Sequence, residues 1–323
     1  QIGNKGWRKI MMGRHSSGNG TMALEEDYTL HTWGQNGYGQ LGITHGHTAW
    51  VNISRSSPNQ ITSGTGSFIH VASSGHHKAA IDTENRLFLW GKNNYGQLGV
   101  GNVANRSSPT QVTGSWSQVE LGYDHTIALR TDGTLWAWGY NYAGALATLG
   151  GSKSSPVQLV AGPTGANVSP GLVSWSNIKA TDYGGIAIEA SSNNAYVWGH
   201  NDIGQLGTGD AASKSSFVAV GQFSGKHLAN KSWYNIGSGL RNIILYDADG
   251  KIYVTGANVY GATGRRKARN AEANKHPNKS FPVQVSAVDE SKWYYPQKLP
   301  TGANTEFKEF SVGQNHGLAI DSS

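Results

Sequence analysis

One ten-residue phrase recurs along this chain, and that recurrence restricts the fold more than any other feature. It reads Trp33-Gly34-Gln35-Asn36-Gly37-Tyr38-Gly39-Gln40-Leu41-Gly42 and returns as Trp90-Gly91-Lys92-Asn93-Asn94-Tyr95-Gly96-Gln97-Leu98-Gly99. A third copy opens Trp138-Gly139-Tyr140-Asn141, a fourth Trp198-Gly199-His200-Asn201, and a worn fifth begins at Thr255-Gly256. Successive copies start 57, 48, 60 and 57 residues apart. Downstream of each lies a Ser-Ser-Pro signal, as at Ser56-Ser57-Pro58, Ser107-Ser108-Pro109 and Ser154-Ser155-Pro156, weaker at Ser215-Ser216-Phe217 and Ser280-Phe281-Pro282. Upstream stands an aromatic opener, then a Gly or Ser, then a short apolar run, as in Trp116, Gly122 and Ile127-Ala128-Leu129.

The apolar runs are three to five residues long and are bounded by Gly, Asn or Asp-Gly. Asp132-Gly133 before the alternating Thr134-Leu135-Trp136-Ala137-Trp138 is a hairpin signal, because a tight primed turn needs positive φ. Asp249-Gly250 before Lys251-Ile252-Tyr253-Val254 is another. No segment carries a sustained 3.6-residue stripe, so helices should be few. A chain with 44 Gly, 11 Trp and only 14% charged residues is not a disordered one, since its aromatics supply large burial. Units of about 50–60 residues with four short strands each have the size of a propeller blade. A lone four-stranded sheet cannot cover both its faces, whereas blades stacked around an axis cover one another. The expectation is an all-β chain, residues 1–323 forming a single β-propeller of four-stranded blades. Six units are visible, opening near Trp7, Phe68, Trp116, Trp175, Trp233 and Phe307, the last incomplete.

The pattern W-G-x-N-x-x-G-Q-L-G, with S-S-P after it and H-x-x-A-L-x-x-D-G before it, resembles the repeat of the regulator of chromosome condensation family. The resemblance covers nearly the whole chain and implies a propeller of seven blades. The wording Asp132-Gly133-Thr134-Leu135-Trp136-Ala137-Trp138-Gly139 looks most like bacterial and bacteriophage members. Five complete units and the start of a sixth fall short of that ring. With only six residues before Trp7, the ends cannot share a blade in the usual way, so the expectation is that the full protein is longer or that its ends were not observed.

The absence of Cys removes thiol catalysis, disulfides and zinc-thiolate sites. No run approaches the roughly 20 apolar residues of a membrane span, so membrane insertion is not expected. No nucleophile elbow, phosphate-binding loop or calcium loop is present, so neither a catalytic residue nor a cofactor is assigned. The repeat absorbs Trp33, Gly34, Trp90, Gly91, Trp138, Gly139, Trp198 and Gly199 as structural. His77, His125 and His316 share one repeat position, which Asn242 takes in another unit. A catalytic group is needed once rather than once per blade, so each is read as bonding a neighbouring blade's backbone.

Candidate binding residues are those that break the pattern. A fifteen-residue gap separates Gly264 from Ser280, where the second and fourth units have seven. This insertion holds Arg265, Arg266, Lys267, Arg269 and Lys275, the densest positive charge in a chain of net charge +6. It points to an anionic surface, with a solvated loop as the alternative. Nucleic acid is disfavoured, because no aromatic residue is interleaved for base stacking. The insertion from Ile43 to Arg55 carries His45, His47 and Trp50. Trp50 is a candidate contact anchor, with a ring folded back onto its own blade as the equal alternative. The two histidines lack the further ligands a closed metal site needs, so no metal is assigned.

The leading reading is a non-catalytic structural or attachment propeller on a virion or extracellular surface, with assembly partners or a host surface receptor as its contacts. The alternatives are a cytoplasmic regulator such as a guanine-nucleotide exchange factor, which the resemblance allows, and a secreted enzyme-inhibitor propeller with an aromatic-rich face. The photoreceptor variant of the repeat carries Gly-Trp-Arg-His-Thr. Here the stretch is Gly122-Tyr123-Asp124-His125-Thr126, without the Trp and Arg of that light-sensing cluster.

Overall fold

The structure is a computed structural model. It describes residues 6–13, 20–43, 54–62, 66–160, 173–220, 231–239 and 241–257 with their side chains, and the backbone alone of strands within 279–321. Each unit folds as an antiparallel sheet. Blade 1 is β1 (Trp7–Met12), β2 (Gly20–Glu25), β3 (Leu30–Gly34) and β4 (Arg55–Gln60). Blade 2 is β5 (Phe68–Ser73), β6 (His77–Asp82), β7 (Leu87–Gly91) and β8 (Arg106–Val112). Blade 3 is β9 (Trp116–Leu121), β10 (His125–Arg130), β11 (Leu135–Gly139) and β12 (Lys153–Gln158). Blade 4 is β13 (Trp175–Thr181), β14 (Gly184–Glu189), β15 (Ala195–Gly199) and β16 (Lys214–Ala219). Blade 5 is β17 (Trp233–Ser238), β18 (Asn242–Asp247), β19 (Ile252–Gly256) and β20 (Lys279–Val285). A further pair, β21 (Phe307–Val312) and β22 (Gly317–Asp321), repeats the opening of a blade. Among the described residues the only helical element is one 3₁₀ turn, Tyr142–Gly144.

The first strands of successive blades approach one another and lie nearest the axis. In blades 2 and 3 the fourth strands are the most exposed and form the rim. This explains the Ser-Ser-Pro signal: Pro58, Pro109 and Pro156 sit on β4, β8 and β12, outer edges where a missing N–H breaks no ladder. In each of the six units the pairing of first and second strands slips one residue after the aromatic opener, for example between Phe68 and His70 and between Trp233 and Asn235. This bulge turns the second residue outward, and Tyr234 is 81% exposed as a result.

The cores lie between blades. Leu87, Leu89 and Leu98 of blade 2 pack on Trp116, Val119 and Trp138 of blade 3. Equivalent clusters join blades 1 and 2, 3 and 4, and 4 and 5. Each seam carries the same polar rivet. The indole Nε1 of Trp90 donates to Gln40 O, that of Trp138 to Gln97 O and that of Trp198 to Ala145 O, all at 3.0 Å and all in the preceding unit's phrase. Blade 5 has Thr255 in place of Trp, and its hydroxyl donates to Gln205 O at 2.5 Å. The worn fifth phrase thus keeps its bond with a shorter donor. Blades 1 and 2 share a further tie, the buried ammonium of Lys78, which donates to Gly20 O and Ser74 O at 3.1 and 2.9 Å.

The glycine after each Trp leaves the strand at positive φ, 101° at Gly91, 102° at Gly139 and 103° at Gly199. At Gly139 a Cβ would lie 2.6 Å from Asp124 O and 2.7 Å from the His125 Cα, both backbone atoms that cannot yield. The backbone needs glycine here on both counts.

Two outcomes are expected in chemical denaturation. Thr255→Val removes only a hydroxyl and leaves a buried carbonyl short of a donor, costing about 1–3 kcal/mol. Gly139→Ala costs at least as much, since strain at such a φ alone is worth about 1–3 kcal/mol.

Candidate functional site

The turn that follows each Trp-Gly pair is locked by its own side chains. Asn93 Oδ1 accepts the Leu98 N–H at 2.9 Å while its amide donates to Asn102 O and Ala104 O, both at 2.9 Å. Asn36, Asn141 and Asn201 accept the N–H of Leu41, Leu146 and Leu206 in the same way. Gln40 and Gln97 accept the N–H of Tyr38 and Tyr95 at 2.8 and 2.9 Å. These bonds hold the variable positions of the phrase on the surface at fixed places.

In an up-and-down sheet the loop after the first strand and the loop after the third emerge at the same end. Here both sets carry rings. Tyr38, Tyr95, Tyr140, Tyr142 and His200 follow third strands, and His76, Tyr123 and Tyr183 follow first strands. They form one connected network across blades 1 to 4. From Tyr38 the ring centroids run 5.2 Å to His76, 6.0 Å on to Tyr123, 5.7 Å to Tyr183 and 5.0 Å to Tyr142. From Tyr142 they run 5.5 Å to His200 and 6.0 Å to Tyr140, which stacks on Tyr95 at 4.2 Å. The network is part covered and part open, with Tyr142 45% and Tyr95 38% exposed.

Lys92 sits among these rings, its ammonium 5.7–5.8 Å from the centroids of Tyr38, Tyr95 and Tyr123. It pairs with Asp124 at 3.0 Å, and Gln97 donates to the same carboxylate at 2.9 Å. Burial pushes the Asp124 carboxyl up, against the pull of Lys92. Burial also pushes the Tyr183 phenol up to about 12. The face is therefore apolar in area, hydroxylated at its edges and internally neutralised at the Lys92–Asp124 pair. Such a surface is suited to contact rather than to proton transfer.

The repeat histidines lie beneath this face. His125 is buried and its Nε2 donates to Gly184 O of the next blade at 3.0 Å. Gly122 lies flat against its ring, where a Cβ would come within 2.0 Å of the His125 Cε1. His77 bonds Ser74 Oγ through Nδ1 at 2.7 Å, and its Nε2 faces Thr126 Oγ1 of the next blade at 3.4 Å. Asn242, at the same position, donates instead to Thr255 O and Ala257 O. Trp33, Trp90, Trp138 and Trp198 end third strands, with Gly34, Gly91, Gly139 and Gly199 beside them. The remaining sequence candidates, His45, His47, Trp50, Arg265, Arg266, Lys267, Arg269, Lys275 and His316, lie outside the described residues.

The aromatic face escaped the reading of the sequence because its tyrosines occupy the variable positions of the phrase. A search for what breaks the repeat passes over residues that vary within it. The usable signal was Tyr38 and Tyr95 at the sixth position of two copies, with Tyr142 at the fifth position of a third.

A family model described as the RCC1-like domain matches residues 16–323. The chain belongs to the RCC1-like domain family. Its β-propeller is shared with human WBSCR16, at 19% identity and a TM-score of 0.75, covering 98% of this chain and 72% of that one. Yeast RCC1 (Prp20), solved bound to Kap60, matches at 19% identity and a TM-score of 0.73, covering 97% of this chain and 67% of that one. The human probable E3 ubiquitin-protein ligase HERC3 is 37% identical over 92 residues, which are 28% of this chain and 8% of the ligase. The chain thus corresponds to a small part of that relative's length.

Burial holds the His125 imidazole down at about 4 and that of His77 well below its ordinary value. Both are neutral when folded, whereas the unfolded chain takes up these protons near pH 6.5. Stability is therefore full above about pH 6.5 and falls with acid as far as the folded value near 4, by about 3 kcal/mol for His125. His125→Asn is expected to flatten this limb in thermal melts between pH 7 and pH 4, since Asn242 already serves at that position in blade 5.

Proposed function

We propose that this RCC1-like propeller is a non-catalytic module that docks a partner protein on its aromatic face. The observation that carries the reading is the network of rings from Tyr38 to His200, which spans four blades yet lies outside the inter-blade cores. Tyrosine offers large, rigid contact area at little entropic cost and is enriched where binding energy concentrates. Lys92 and Asp124 on this patch are paired with each other. Prp20, whose fold this chain shares, is described with protein partners, Kap60, Gsp1p and histones.

A finer reading places the module on a virion or extracellular surface, as a structural or attachment protein. It rests on the bacteriophage-like wording of the third unit. Neither HERC3 nor Prp20 supports that placement, and the same face serves a partner inside or outside a cell. An exchange-factor role rests on likeness of fold alone.

The test is retention of source-organism proteins by wild type and by surface variants. Tyr95→Ala with Tyr142→Ala is expected to release the partner, each tyrosine contributing about 2 kcal/mol, or roughly thirtyfold in affinity. Tyr234→Ala, on the highly exposed bulge of β17, is expected to retain it. Equal retention by all three proteins would overturn the assignment. Nucleotide release from small GTPases, stimulated by wild type and not by the double variant, would identify the partner as a GTPase.

A further inference from the structure

The first strands line the axis, and the residues they turn toward it are polar. Two residues past each aromatic opener, beyond the bulge, stand Lys9, His70, Gln118, Asn177 and Asn235. Two residues further along lie Glu120 of β9 and Lys179 of β13. The residue between these positions, Val71, Val119, Ile178 or Ile236, is buried against the preceding blade. Its neighbours on either side therefore point the other way, toward the next blade's first strand and the axis.

At one level these side chains form a relay around the axis. His70 Nε2 donates to Val119 O, the Gln118 amide to Ser176 O and the Asn177 amide to Asn235 Oδ1, each at 3.0 Å and each in the next blade. Gln118 Oε1 also accepts the Ile178 N–H at 3.3 Å, so both its ends are occupied. The relay has free donors at its two ends. Asn235 uses its Oδ1 twice, for Asn177 and for the Ile236 N–H, while its amide nitrogen donates to nothing among the described residues. Lys9, at the same register in blade 1, makes no hydrogen bond or ion pair among them.

The charges at this level do not balance. Lys179 pairs with Glu120. The Lys9 side chain is open to solvent, yet the surrounding strands lower its pKa by burial, a combination that suits a group standing in an enclosed channel. Glu120 pulls that pKa back up and Lys179 pushes it further down, so the three charges share one field. His70 is also lowered, chiefly by burial, and stays neutral at pH 7. Among the described residues, two ammoniums thus attend one carboxylate.

An ammonium is a compact point charge without a fixed fork. Lys9 and the Asn235 amide approach the same level from blades 1 and 5, and Lys179 adds its charge from blade 4. Donors arriving from separate walls suit a compact ion with oxygens on every side better than a flat carboxylate gripped along one edge. We propose that the axial channel binds a small free oxyanion of the phosphate class, held by the Lys9 ammonium and the Asn235 amide and attracted by Lys179. Glu120 limits the affinity, because its carboxylate competes for the same cations. The site lies apart from the aromatic face, and its test needs no partner protein.

The experiment is calorimetric titration of the whole chain at low salt with sodium phosphate and, as a dianion with flat carboxylates, sodium malonate. Phosphate is expected to bind saturably, with malonate severalfold weaker. Lys9→Met is expected to weaken phosphate by about tenfold, the loss of one charge-assisted bond, without lowering the melting temperature. Asn235→Asp keeps the acceptor that Asn177 uses and replaces the free amide by a carboxylate, and is expected to abolish binding. Glu120→Gln is expected to tighten phosphate severalfold, a gain that damage to the fold would not produce. The proposal is overturned by absence of saturable phosphate binding, by malonate binding as tightly as phosphate, or by a Lys9→Met protein with unchanged affinity.

Discussion

The bond from each third-strand donor to the preceding unit's turn organises the molecule. An indole N–H buried between two sheets must find an acceptor, and the carbonyl of Gln40, Gln97 or Ala145 is the one within reach. Apolar packing between blades is non-directional and would tolerate sliding of one sheet across the next. The indole–carbonyl bond is directional and sets the height of each blade against its neighbour. Where Trp is lost, at Thr255, the hydroxyl restores the bond, although the apolar area of a Trp is not replaced. In this seam the polar contact was kept while the ring was not.

The candidate face follows from that arrangement. The carbonyls that receive the indoles belong to the same turns that display Tyr38, Tyr95 and Tyr142. Anchoring a turn from below by its neighbour's Trp, and from within by its own Asn and Gln, lets its exposed residue be aromatic without loosening the loop. The rings then meet across blade boundaries because adjacent turns are held at a constant spacing. The Lys92–Asp124 pair lies among them, and its mutual neutralisation leaves ring area as the main property of the surface.

Much of the fold was legible in the residues. Trp138-Gly139, Asp132-Gly133 and the Ser-Ser-Pro signals recur with spacings that suit one repeated four-stranded sheet, and the strands lie accordingly. Less of the site was legible. Tyr38 and Tyr183 are far apart in the chain and adjoin only through the ring of blades. The bulge after each aromatic opener was hidden as well, because it is a property of pairing between strands and leaves no distinctive residue type at positions such as Ile69, Ser117 and Tyr234.

By itself, the sequence determined the repeat, the β class and the glycines on which the turns depend, because these are local consequences of periodicity and of backbone sterics. The tertiary structure alone decided which side chains become neighbours. It placed His125 against the next blade's Gly184 carbonyl and gave Asp124 to Lys92. It laid the Arg130 guanidinium over Trp136. Those pairings depend on how one blade is rotated against the next, which is set by the inter-blade seam and written in no one repeat.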